Sequence, residues 1–143
     1  MGHAQAPQYG GVLNVGIADD TKSLDPTFQL EFSERQPEYL IYSTLFGLAD
    51  DFSIIPELAQ SWSVSDDGLS LVLHLRGGIK FQDGTGFDAK AVKWNLDHRL
   101  SDEVNSPSKT VLDPIIAAVE VVDPLTVRIR LKIFIHQPAG AFG

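Results

Sequence analysis

The stretch "GGIKFQDGTGFDAKAVKW", beginning at Gly77, holds the residues whose spacing most invites chemistry. Gly84, Gly86 and Ala89 spell G-x-G-x-x-A ahead of an apolar helical pattern, the arrangement with which a dinucleotide-binding loop seats a pyrophosphate on a helix N-terminus. That chemistry needs a buried parallel strand running directly into the glycines. Here the preceding alternating run ends near Leu75, and "RGGIKFQD" intervenes. Asp83, beside Gly84, would repel a phosphate. No strand ending in an acidic residue stands about twenty positions further on, where Asp102 and Glu103 lie in a polar stretch. The residues instead predict a turn at Asp83-Gly84 and a helix capped by Asp88. A nucleotide-binding enzyme domain is the weakest of the alternatives.

Other reactive groups are thinly spread. His3 is terminal, and His74, His98 and His136 lack the paired spacing that metal ligation requires. Asp19-Asp20 and Asp50-Asp51 have the chemistry to pair as acids or to bind a hard cation, and equally that of solvated loop carboxylates. Ser61, Ser63 and Ser65 have no nucleophile-elbow context. With no cysteine, thiolate catalysis and disulfides are excluded. The expectation is no catalytic residue, no metal and no cofactor.

Eleven Lys and Arg against nineteen Asp and Glu give a net charge of −8, which argues against nucleic acid as a partner. Hydrophobic residues at 43% and charged residues at 21% of the 143 positions fit one globular domain. No apolar run approaches the roughly 18 residues of a spanning helix. Ala4-Gln5-Ala6 has the small-x-small form that ends secretory signals, so residues 1–10 read as a leader remnant and flexible N-terminus of an exported chain, without the signal peptide itself.

The elements follow from periodicity. Leu13, Val15 and Ile17 predict a strand from Val12 to Ala18, followed by the polar loop "ADDTKSLDP". Leu40, Ile41, Thr44, Leu45 and Leu48 predict a helix from Pro37 to Phe46, with Gly47 ending it. Pro56 to Gln60 reads as one or two helical turns. Trp62 and Val64 then lead through Asp67-Gly68 into a strand with Leu69, Leu71, Leu73 and Leu75 on one face. Ala89, Val92, Leu96 and Leu100 predict a helix from Ala89 to Leu100. Val111 to Ala118 reads as helical. A second hairpin turns at Asp123-Pro124, with Val119, Val121, Val127, Ile129 and Leu131 on its dry face. The two tryptophans, Trp62 and Trp94, are expected to be buried with their N–H groups paired.

In order, "GGVLNVGIADDTKSLDP", "LIYSTLFGL", "IIPELAQSWSVSDDGLSLVLHLRGGIKFQDGTGFDAKAVKWNLDHRL" and "IIAAVEVVDPLTVRIRLK" resemble the N-terminal portion of family 5 extracellular solute-binding proteins, the peptide, dipeptide and nickel receptors of ABC importers. The resemblance implies an α+β fold of antiparallel hairpins with packed helices, part of lobe I of a two-lobed type II periplasmic-binding-protein fold. It divides the chain into a first-lobe strand and helix at 11–50, an inserted subdomain at 51–132 and a truncated tail at 133–143. By position it implies ligand contacts from Asp19, Asp20, Thr21, Phe28 and Gln29, with a peptide or other small solute as ligand and permease subunits as partners in the parent. Localisation would be periplasmic or extracellular. The chain alone is expected to bind ligand weakly or not at all. A strand edge left unpaired at 12–18 also predicts that the isolated piece self-associates, with that strand or the C-terminal apolar tail crossing between chains.

Overall fold

In the computed structural model of the protein, residues 10–16, 23–28 and 32–136 are described. The chain orders as α1 (Phe32–Ile41), β1 (Phe46–Leu48), β2 (Ile54–Pro56), β3 (Ala59–Val64), β4 (Ser70–Leu75), α2 (Ala89–Leu100), α3 (Lys109–Leu112), β5 (Ile116–Asp123) and β6 (Thr126–Leu131). β1 and β2 form a small antiparallel ribbon, and the other four strands form one antiparallel sheet in the order β3-β4-β6-β5. The α+β reading is therefore borne out.

Alternation writes the sheet's register. Trp62 sits opposite Leu73 and Val64 opposite Leu71, while Leu71 and Leu73 pair across β6 with Ile129 and Val127. Val119 and Val121 continue the row opposite Ile129 and Val127. This face carries the core, where Leu73, Leu75, Val127 and Ala59 are fully enclosed. Fully burying a Leu or Val side chain contributes on the order of 1.5–3 kcal/mol, so a one-residue slip that exposed the row would be strongly disfavoured. Leu69, expected on the same face, is instead exposed at the hairpin end. The wet face holds Ser61, Ser63, His74, Arg128 and Arg130, with Glu120 lying 3.6–3.7 Å from both arginines.

α2 lies across the dry face, and its bounds match the expectation. Asp88 stands in extended backbone and its carboxylate accepts from the Ala91 N–H at 2.9 Å, satisfying one of the donors that every helix N-terminus leaves open. Ala89 and Val92 are buried against the sheet, with Leu96 and Leu100 packed at the margin.

Both hairpin turns fall where expected, with one difference of type. A two-residue Asp-Gly turn needs positive φ at both positions, whereas of this pair only Gly68 has it, at 66°. Ser65 and Ser70 close a longer loop, in which Asp67 accepts from the Leu69 N–H at 3.0 Å and the Ser65 hydroxyl at 2.6 Å.

Four of the expected elements are corrected. Residues 12–16 form no strand, and Val12 and Leu13 are 89% and 86% exposed; residues 17 and 18 lie outside the described residues. The first helix runs five residues earlier than predicted and contains Pro37 in its interior. It stops because residues 44–46 are drawn into extended pairing: Leu58 and Ala59 N–H groups donate to the Thr44 and Leu45 carbonyls, and Phe46 pairs with Pro56. The same bonds explain why Pro56 to Gln60 is extended rather than helical. Finally, the helix expected at 111–118 is confined to Lys109–Leu112, and Ile116 enters β5 opposite Leu131. Sheet pairing outweighs local propensity at each of these places.

Candidate functional site

The loop carrying Gly84 and Gly86 can be settled from its hydrogen bonds. Phe81 N donates to the Thr85 carbonyl and Gly84 N to the Phe81 carbonyl, both at 2.9 Å, while Lys80 and Gly86 form an antiparallel bridge. Gly84 has φ 87°, the left-handed region that a tight turn requires. Asp83 occupies the turn itself, accepting from Thr85 N at 2.9 Å and the Thr85 hydroxyl at 2.6 Å. These bonds, the hydroxyl first, hold its carboxyl below the ordinary range. An ionised carboxylate in an antiparallel loop is the opposite of a phosphate cradle. The loop's observed task is structural: Gln82 Nε2 donates to the Ile41 carbonyl at the end of α1, at 3.1 Å, and Phe81 meets Phe87 edge to face.

Several of the other reactive candidates among the described residues have structural partners. Asp51 caps a turn by accepting from Ser53 N and the Ser53 hydroxyl at 3.0 and 2.6 Å. His74 lies on the wet sheet face with Thr126 Oγ1 3.4 Å from its Nδ1. Trp62 is half-buried and packs edge to face on Phe46, ring centroids 4.9 Å apart. Trp94 is not buried as expected: it is 64% exposed and stacks on His98, one helical turn away, at 4.8 Å and 11°. Among the described residues no group of three His, Cys, Asp or Glu side chains converges on a metal position.

Of the ligand-contact candidates, Asp19, Asp20, Thr21 and Gln29 lie outside the described residues, and Phe28 is half exposed. Phe28 belongs to the described stretch 23–28, which is docked on the rest of the structure by specific bonds. The Tyr42 hydroxyl donates to the Leu24 carbonyl at 2.9 Å. The Ser106 hydroxyl donates to the Thr27 carbonyl at 2.6 Å, in a buried contact spanning 79 residues of sequence. Asp25 turns the segment by accepting from Thr27 N at 2.9 Å. Its carboxyl is held below the ordinary value mainly by that N–H and the Thr27 hydroxyl, with smaller help from the positive field of Arg99 and His98 at the end of α2.

Beside this segment, α1 and α2 face each other across a cleft of about 590 Å³, lined by Tyr39, Tyr42, Phe81, Phe87, Leu96 and Arg99 among others. The size lies in the range of small-molecule sites, and the lining is mostly apolar with a few polar groups. Ser106, Tyr42 and Arg99 were not singled out by sequence. A hydroxyl in "NSPS" carries no local mark of a bond made 79 residues away.

Residues 53–133 match the family model "Bacterial extracellular solute-binding proteins, family 5 Middle". The chain belongs to that family. The resemblance read from its motifs is thus borne out. Over 128 residues, 90% of the chain, it is 43% identical to the glutathione-binding protein GsiB of Escherichia coli O1:K1, of which it covers 24%. Among solved structures it is similar to MoaA from A. tumefacien R10 in complex with mannopinic acid, at 33% identity and a TM-score of 0.73, over 81% of this chain and 24% of that one. A periplasmic oligopeptide-binding protein from Borrelia burgdorferi, at 21% identity and a TM-score of 0.77, shares the fold over 85% of this chain and 27% of its own. The described elements have the architecture of one section of the type II periplasmic-binding-protein fold. Within this solute-binding family, the chain spans about a quarter of the length of the relatives it matches.

Proposed function

We propose that the chain forms part of the first lobe of an exported receptor that captures peptides or similar small solutes and delivers them to the permease subunits of an ABC importer. The observation that carries this reading is 43% identity over 128 residues to a glutathione-binding protein. In this reading residues 51–132, whose sheet and α2 share one core, are an inserted subdomain, and residues 11–50 belong to the lobe that faces the solute. Asp19, Asp20, Thr21, Phe28 and Gln29 contact the solute, the carboxylates suiting an ammonium group. The role is binding without catalysis, in the periplasm or outside the cell. A net charge of −8 disfavours nucleic acid as a partner.

The test is a chimera in which this chain replaces the equivalent 128 residues of GsiB. Calorimetry should show saturable uptake of glutathione or of a related short peptide. A chimera that folds but binds none of a panel of peptides, opines and metal chelates would overturn the reading. The 143-residue chain by itself should bind the same solutes weakly or not at all.

A second reading, self-association of the isolated chain, is favoured by the exposed Val12, Leu13 and Val15. It is disfavoured at the sheet edges, where register shifts interrupt β3 and β5, a device that blunts edge-to-edge pairing. Light scattering across concentrations decides it: a constant monomeric mass excludes association.

A further inference from the structure

Among the described residues, the segment 23–28 has neither helix nor strand, so its course is set by individual bonds. Its own turn, Phe28 N to the Asp25 carbonyl at 3.3 Å and Thr27 N to the Asp25 carboxylate, bends it. Among the described residues, bonds from Tyr42 to the Leu24 carbonyl and from Ser106 to the Thr27 carbonyl tie it to the rest of the structure. The two differ in strength. The Tyr42 bond is solvent-exposed and competes with water, whereas Ser106 is 2% exposed and Thr27 7%, so an unmade bond there would leave a carbonyl stranded away from water. Ser106 is itself firmly placed. Its carbonyl accepts from Lys109 N at 2.9 Å at the start of α3, its hydroxyl oxygen lies 2.7 Å from the Ser108 hydroxyl, and the preceding Asn105 takes a left-handed φ of 50° that turns the chain into this position.

We propose that Ser106 is a positioning residue for solute capture: its buried hydroxyl fixes the main chain at Thr27 and thereby sets where Phe28 stands. The inference rests on the receptor reading above, which assigns Phe28 to the solute. Its physical content is that the connection between α2 and β5, far from Phe28 in sequence, decides the geometry of the residue immediately after Thr27. A bond that merely stabilised the core would act on the whole sheet. A positioning bond acts on one segment.

Amide exchange on the 143-residue chain separates the two. With Ser106→Ala, exchange at Thr27 and Phe28 should quicken about tenfold, as expected for losing a buried hydrogen bond and exposing its acceptor, while Leu73 and Val127 exchange as before. Ser106→Thr, which keeps a hydroxyl, should restore protection. Unchanged exchange at Thr27 and Phe28 in Ser106→Ala would overturn the proposal, and so would equal acceleration throughout the sheet. No solute enters the measurement, so its failure is distinguishable from a failure of the GsiB chimera to bind.

Discussion

Gly68 lies against the Phe134 ring, and its carbonyl oxygen accepts from Ile135 N at 3.0 Å, so the segment following β6 closes over the β3–β4 turn. Two constraints meet at this glycine. Its φ of 66° is one that L side chains avoid, and a Cβ there would overlap the Phe134 ring and come 2.8 Å from the Ile135 carbonyl. Gly68→Ala should therefore lower stability by about 1–3 kcal/mol through backbone strain and overpacking together. Urea denaturation measures it. A midpoint equal to the parent's would mean that residues 134–135 do not rest on the turn.

Asp88→Ala removes the side-chain acceptor at the start of α2 and should cost about 1 kcal/mol. Asp88→Asn keeps an oxygen acceptor and should lose much less. Comparing the two denaturation midpoints checks the assignment, since equal losses would point to charge rather than capping.

How much of this was legible in sequence depends on where each residue's partners lie. β4 and β6 were readable because alternation along Leu71, Leu73 and Leu75, and along Val127, Ile129 and Leu131, is itself the burial pattern. α2 was readable because its cap and its apolar spacing are both local. The helical expectation fails at residues 56–60 and 115–118 because their deciding bonds come from Thr44, Leu45 and Leu131, positions that no short window contains. The hold of Ser106 on Thr27 was invisible for the same reason. At Trp94 the expectation failed differently: size predicts burial, but its place on α2 turns the ring outward onto His98.

Leu73 and Leu69 belong to the same alternating run yet should respond differently to truncation. Leu73 is fully enclosed, so Leu73→Ala should destabilise by about 2–5 kcal/mol through lost burial and a residual cavity. Leu69 stands exposed at the hairpin end, and Leu69→Ala should remain within about 0.5 kcal/mol of the parent. Thermal denaturation of the pair is the check. Equal losses would contradict the register in which Leu73 faces Trp62 and Val127.

The exposed Trp94 sits five residues after Ala89, the last position of the glycine pattern, and makes a convenient reporter. Titration with NAD should leave its fluorescence unchanged, because Gly84 and Gly86 belong to an antiparallel turn already filled by the Asp83 carboxylate. Saturable quenching would restore the nucleotide reading.

Acid should weaken the fold through its turns. Asp51, Asp67 and Asp83 are each held below the ordinary carboxyl value of 3.8 chiefly by a neighbouring hydroxyl, from Ser53, Ser65 and Thr85, and Asp123 chiefly by the Leu125 N–H. With folded values below unfolded ones, the unfolded chain binds more protons in the window between them. Stability from these turns is thus fully present above 3.8 and declines as pH falls through the folded values. These carboxylates are solvent-exposed, so each contributes little alone and the effect should emerge as a sum. Urea midpoints measured from neutral pH to below 3.8 should fall progressively at the acid end. Thr85→Val, which deletes the hydroxyl bound to Asp83, should raise that carboxyl's titration point in an NMR series and leave Asp67 unmoved. A Thr85→Val protein in which Asp83 titrates unchanged would show that the hydroxyl is not what holds the turn's charge.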